Sequence, residues 1–85
     1  MNICFIIGKV ISNIEYKFIL NSKNTAIATF KIELENKSII IAKAYNQIAD
    51  YCYRNLAKGN TFLIKGYICN KGIIAEEIYK FIPCN

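Results

Sequence analysis

Side chains able to carry covalent or metal chemistry are few in this 85-residue sequence, and none stands at the spacing such chemistry needs. There is no histidine. The four cysteines, Cys4, Cys52, Cys69 and Cys84, lie far apart with no C-x-x-C pair, so the paired spacing of a structural zinc site is missing. They read as reduced structural thiols, and neither a metal nor a cofactor is expected. Acid–base chemistry has little to draw on, with one aspartate, Asp50, and five glutamates. The adjacent Glu76 and Glu77 are expected on opposite faces of a strand, which keeps two carboxylates off one substrate. No glycine-rich phosphate loop appears. An enzyme is therefore not expected. What remains is charge: the formal net charge is +5, and Arg54 is the single arginine among eleven basic residues. That excess fits a polyanionic partner and a solvated basic surface equally well.

The length suits one small domain with a single core. A hydrophobic content of 54% argues against disorder. Apolar runs fall far short of the roughly 20 residues that a membrane-spanning helix needs. The start, MNICFIIGKV, lacks the basic region and cleavage site of a signal peptide. A cytoplasmic protein without a membrane partner is the expectation.

One stretch reads as a helix, Tyr45 to Gly59, because Ile48, Cys52 and Leu56 recur every four residues with Ala49 beside them. Asn46 is the expected N-cap, with Asp50 early, Arg54 and Lys58 late, and Gly59 free to take the left-handed conformation that ends a helix. The rest alternates like strands. Residues 3 to 20 form one long strand or two continuous ones, with Ile3, Phe5 and Ile7 in one parity and Val10, Ile14, Tyr16, Phe18 and Leu20 in the other. A parity change near Gly8 predicts a bulge or sharp bend there. After a turn at residues 21 to 24, Ala26, Ala28, Phe30, Ile32 and Leu34 face inward, leaving Thr29, Lys31 and Glu33 outward. In residues 38 to 45, Ile40, Ala42 and Ala44 face the core, while Ile39, Ile41, Lys43 and Tyr45 point away.

Beyond the helix, Phe62, Ile64, Gly66 and Ile68 share one parity of a fourth strand, and Thr61, Leu63, Lys65, Tyr67 and Cys69 share the other. Asn70-Lys71-Gly72 is a tight hairpin turn. The fifth strand runs from Ile73 to Phe81, with Ile74, Ile78 and Ile82 as its inner set, and Pro83 stops it. Five curved strands with one α-helix between the third and fourth is the layout of an OB-fold, an all-β Greek-key barrel. An SH3-like barrel would not ordinarily place a three-turn helix there. The expectation is a single OB-fold domain over residues 1–85 with no C-terminal tail.

Three stretches resemble bacterial single-stranded DNA-binding protein: FIIGKV, AIATFKIEL, and above all AYNQIADYCYRNLAKGNTFLIKGYI. In the last, an aromatic ends the third strand, the helix follows, and Lys-Gly leads into a strand containing an interior glycine. The resemblance implies that Tyr45, which matches the aromatic closing the third strand, stacks on a base. Lys31 and Lys43 share its outer face and are placed to contact phosphates, and Ile39 and Ile41 add apolar contact. Without that resemblance, Tyr45 reads more readily as a strand-end tyrosine packed under the helix.

Departures from the family are plain. No tryptophan is present, Ile39 stands where an aromatic is common, and the extended arm between the fourth and fifth strands is cut to a turn. The chain is also similar in length to primosomal replication protein N, another tail-less OB-fold.

The functional expectation is thus sequence-tolerant binding of single-stranded DNA, by base stacking and lysine–phosphate contacts, in replication, recombination or repair. The alternatives are an RNA binder, or a protein-interaction module acting as an oligomeric replication or primosome accessory factor. For the latter, Ile39, Ile41, Leu63, Tyr67 and Cys69 are outward by parity. The resemblance implies a homodimer or homotetramer, with pairing of first strands through Asn2 to Ile7. Ile3, Phe5, Ile7, Leu63 and Tyr67 are the expected interface.

Overall fold

The computed structural model describes residues 2–70 and 72–81. It contains strands β1 (Ile3–Val10), β2 (Glu15–Ile19), β3 (Thr25–Leu34), β4 (Ile39–Tyr45), helix α1 (Asn46–Asn55), β5 (Thr61–Cys69) and β6 (Gly72–Lys80). The hydrogen-bonded order is β1-β5-β6-β4-β3-β2, and an additional β1–β3 pairing closes the sheet into a barrel. All neighbours are antiparallel except β4 and β6, whose parallel pairing joins the two halves. This is the OB-fold, with β1 and β2 as two halves of its first strand. Both halves run along β3: Gly8 to Val10 pair with Ile32 to Leu34, and Glu15 to Ile19 pair with Thr25 to Thr29.

The interruption falls at residues 11–14, not at Gly8. There the backbone leaves the ladder, and the Ser12 hydroxyl accepts the Lys31 N–H at 2.8 Å. No parity change occurs in β1. Gly8 and Val10 are buried, and Cys4 and Ile6 share their side half-buried. Ile3, Phe5 and Ile7 therefore face outward, exposed by 46%, 63% and 47%. Tyr16 and Phe18 do lie on the inner side, opposite Ala28 and Ala26, but the barrel ends before it covers them. Tyr16 reaches the helix instead: its hydroxyl donates to Asp50, and its ring lies 4.9 Å from that of Tyr53. That bond to the carboxylate holds the Tyr16 hydroxyl's pKa above its ordinary value.

Inward alternation in β3 and β4 is as the pattern predicts. Ala26, Ala28, Phe30, Ile32, Ala42 and Ala44 are buried, with Ile40 and Leu34 packed against them. Phe62 and Ile64 of β5 complete the core, and Ala49, Cys52 and Leu56 plug one end of the barrel. Small alanines on β3 and β4 leave room for the helix to sit close, an example of large and small residues interdigitating at native density. Burial pushes the Cys52 thiol up to about 12, the behaviour of an inert core thiol.

The helix ends and β6 differ from expectation, each for a local reason. The helix is shorter than Tyr45 to Gly59, spanning Asn46–Asn55 with Tyr45 as N-cap and Leu56 as C-cap. Asn46 is not the cap: its φ is +55°, and its side-chain oxygen accepts the Ala26 N–H at 3.2 Å. Gly59 is left-handed, at φ +98°, but it serves the turn into β5, donating its N–H to Val10 at 2.7 Å.

β6 departs from the expected inner set. Its inner residues are Ile73, Ala75 and Ile78, not Ile74 and Ile78, because a bulge shifts the register. Lys65 pairs with Glu77 and Gly66 with Ala75, leaving Glu76 as the extra residue. A bulge puts two residues against one, so the inner parity changes from odd to even across it. Both Glu76 and Glu77 consequently lie on the outer side, contrary to the expected opposite faces. Near the hairpin, Ile68 is 57% exposed although it shares the inner parity of Phe62. The expectations for Ile82, Pro83, Cys84 and the Lys71 part of the hairpin lie outside the described residues.

Candidate nucleic-acid interface

Cross-strand pairing brings the predicted face together. On the outer side of β3 and β4, Ile27 pairs with Tyr45, Thr29 with Lys43, Lys31 with Ile41, and Glu33 with Ile39. Directly paired residues share a face, so Lys31, Lys43, Ile39, Ile41 and Tyr45 form one surface. Tyr45 is 39% exposed, Ile41 45% and Ile39 56%, and neither lysine is in an ion pair among the described residues. Tyr45 is held by its place. It is the last residue of β4 and the cap of α1, with extended backbone at φ −125°, while Asn46 anchors the next turn to β3.

The surface continues onto β6 because of the bulge. Ile74 faces outward and pairs with Lys43. A recess of about 270 Å³ results, lined by Ile41, Lys43, Tyr45, Cys69, Asn70 and Ile74. A second recess of about 390 Å³ lies across Ile41, walled by Ser12, Asn13, Glu15, Thr29 and Lys31. Ile41 borders both, so the two make a single groove crossing β3, β4 and β6. Sequence reasoning missed Ile74, Ser12, Asn13, Glu15 and Asn70 as groove residues. Gly66 was the available signal, since an interior strand glycine often marks a bulge.

Other outward residues lie outside the two recesses. Lys65 is bound to Glu77 at 3.2 Å and is not free for a phosphate. The Tyr79 hydroxyl donates to Glu77, and together with Lys65 it holds that carboxyl below the ordinary carboxylate range. Leu63 and Tyr67 are half-buried on the outer side of β5, paired with Ile7 and Ile3 of β1. A further recess, about 610 Å³, lies beside Phe5, Ile7 and Leu34, with Glu35 as its one charged lining residue. A carboxylate without a cation does not suit a polyanion. Among the described residues, no three cysteine, aspartate or glutamate side chains group as metal ligands. No helix described is long and apolar enough to cross a membrane.

A wild-type single-stranded DNA-binding protein from Thermus aquaticus superposes on the whole of this chain with a TM-score of 0.85, at 16% identity. The fold is that of bacterial single-stranded DNA-binding proteins. The single-stranded DNA-binding domain of a Synechococcus protein matches at 0.83 over 93% of this chain, with 10% identity and 94% of its own length covered. A small single-stranded DNA-binding protein from Streptomyces coelicolor matches at 0.67, with 13% identity, 95% of this chain and 93% of its own. The chain spans 42% of the length of the Thermus protein. No protein-family model and no curated protein sequence matches it.

Proposed function

We propose that this chain binds single-stranded DNA with little sequence preference along the groove over β3, β4 and β6. The observation that carries the reading is the cross-strand set of Lys31, Lys43 and Tyr45 on one exposed face, with Ile41 and Ile39 between and beside them. An exposed ring offers every base a π surface, and base–aromatic stacking contributes about 1–3 kcal/mol per base. Lysines without carboxylate partners are available to phosphates. The structural likeness to single-stranded DNA-binding proteins supports the same choice. Such a module would serve replication, recombination or repair in the cytoplasm.

Anisotropy titration of a labelled oligo-dT strand at several salt concentrations tests this. For single strands, log affinity falls against log salt with slope about −0.7 per neutralised phosphate. Lys31→Met and Lys43→Met should each flatten that slope by about 0.7 if each lysine meets one phosphate. Salt-independent binding, or unchanged slopes in both variants, rejects the assigned contacts.

A second reading concerns self-association, and it is compatible with the first. Residues 3–7 of β1 pair with β5 on one edge only, leaving the other edge without a ladder partner among the described residues. Ile3, Phe5 and Ile7 are exposed on the outer face of β1, with Leu63 and Tyr67 beside them on β5. An apolar strand with an open edge is a template for pairing with a second copy of the chain. Light scattering behind size exclusion should show a dimer or tetramer at micromolar concentration; a monomer removes this reading.

A further inference from the structure

The two recesses of the groove differ in chemistry. Around Tyr45 and Ile74 an aromatic ring and aliphatic carbons stand beside Lys43 and Asn70, with no acidic side chain. Across Ile41 the wall adds a carboxylate: Ser12 and Asn13 come from the interruption between β1 and β2, Glu15 from β2, and Thr29, Phe30 and Lys31 from β3. Glu15 is out of place in a groove for a polyanion, since it repels phosphates. Its carboxylate makes no ion pair or hydrogen bond among the described residues. The interruption at residues 11–14 opens the recess, and the Ser12 hydroxyl, bonded to the Lys31 N–H at 2.8 Å, sets where that loop lies.

We propose that this recess is a base-selective subsite that takes guanine, with Glu15 accepting from its Watson–Crick edge. The proposal rests on the single-stranded DNA reading and adds to it. Unstacked single-stranded bases expose those edges to side chains. Guanine presents N1–H and the N2 amino group side by side, two donors that match the two oxygens of a carboxylate. Thymine offers one N–H between two carbonyl oxygens, which face a carboxylate unfavourably. Cytosine and adenine each offer a single amino group, and so rank between them. Binding along the remaining groove stays sequence-tolerant, and the preference belongs to one position.

The test compares a short oligo-dT strand with the same strand carrying one central dG, dC or dA, by anisotropy at fixed salt. The dG strand should bind about fivefold tighter than oligo-dT, the lower end of what a good bidentate side-chain–base pair provides. In Glu15→Gln, removal of a negative charge should tighten binding to every strand, but the dG:dT ratio should collapse toward one. General electrostatics alone raises all affinities and leaves the ratio in place. A wild-type ratio near one overturns the inference, as does a ratio that survives Glu15→Gln. If no strand binds at all, the parent reading fails too, and that outcome is distinct. Glu15 is exposed in β2, so the variant should keep the wild-type circular dichroism spectrum and melting temperature.

Discussion

Replacing Gly66 by alanine strikes the feature on which both the core of β6 and the groove depend. A Cβ at Gly66 would lie 2.0 Å from the Ile74 carbonyl oxygen, 2.9 Å from its carbonyl carbon and 3.1 Å from the Ala75 Cα. All three are backbone atoms, so no rotamer change relieves the clash. To reach ordinary contact at 3.4 Å, the oxygen must retreat by about 1.4 Å, which parts β5 from β6 at the bulge. Overpacking of this kind costs about 1–3 kcal/mol, and each ladder hydrogen bond lost adds about 0.5–1.5 kcal/mol. The expected destabilisation is therefore about 3 kcal/mol, against a total of roughly 4–13 kcal/mol for a chain of this size. In melting temperature that is a fall of about 12–24 °C. Urea denaturation followed by circular dichroism measures it directly. Gly59→Ala is the control, because its Cβ meets nothing within 4 Å and the cost is backbone strain at φ +98° alone, about 1 kcal/mol. A Gly66→Ala loss below about 1 kcal/mol, or one smaller than that of Gly59→Ala, would show the bulge to be misassigned.

Other expectations concern the helix and its entry. Asn46→Ala should cost about 1–3 kcal/mol, from the lost bond to the Ala26 N–H and strain at positive φ, while Asn46→Gly should recover the strain part, both read by urea melts. Cys52 should resist thiol reagents in the folded protein at pH 8, when Cys69, which is exposed, reacts. Its raised pKa favours the neutral thiol in the folded state. The unfolded chain ionises first as pH rises, so this group's contribution is intact below about pH 9 and lost by about pH 12. The slope is about 1.4 kcal/mol per pH unit in that window, and Cys52→Ala should remove it from the alkaline stability profile.

The strand pattern was legible wherever one face of a strand is strictly buried. β3 and β4 alternate without a fault, so Lys31, Ile39, Ile41, Lys43 and Tyr45 could be placed on one outer face from sequence. The strand–helix–strand order was equally plain, because Ile48, Cys52 and Leu56 keep helical spacing.

Where the reading failed, tertiary geometry outweighs local pattern. In GIIAEEIYK, residues 73, 74, 75 and 78 are all apolar or small, so either parity fits. The choice is made by the close approach of Gly66 to Ile74, which lies eight residues away in sequence. In β1, both parities are apolar too: Ile3, Phe5 and Ile7 on one, Cys4, Ile6 and Val10 on the other. Pairing with β5 and β3 decides that the latter set goes inside. Tyr16 and Phe18 followed the inner parity but lay past the end of the barrel, which no periodicity reveals. The Glu15 end of the groove escaped notice because it is made by an interruption, and Ser12 and Asn13 read as part of a continuous strand.

The most direct test of the central claim is the affinity of wild type, Tyr45→Ala and Tyr45→Phe for an oligo-dT strand at one salt concentration. Loss of one stacked base predicts a drop of about 5- to 150-fold for Tyr45→Ala. Tyr45→Phe, which keeps the ring, should bind like wild type. Saturable wild-type binding that is unchanged in Tyr45→Ala, or no binding by the folded wild type, would contradict the account.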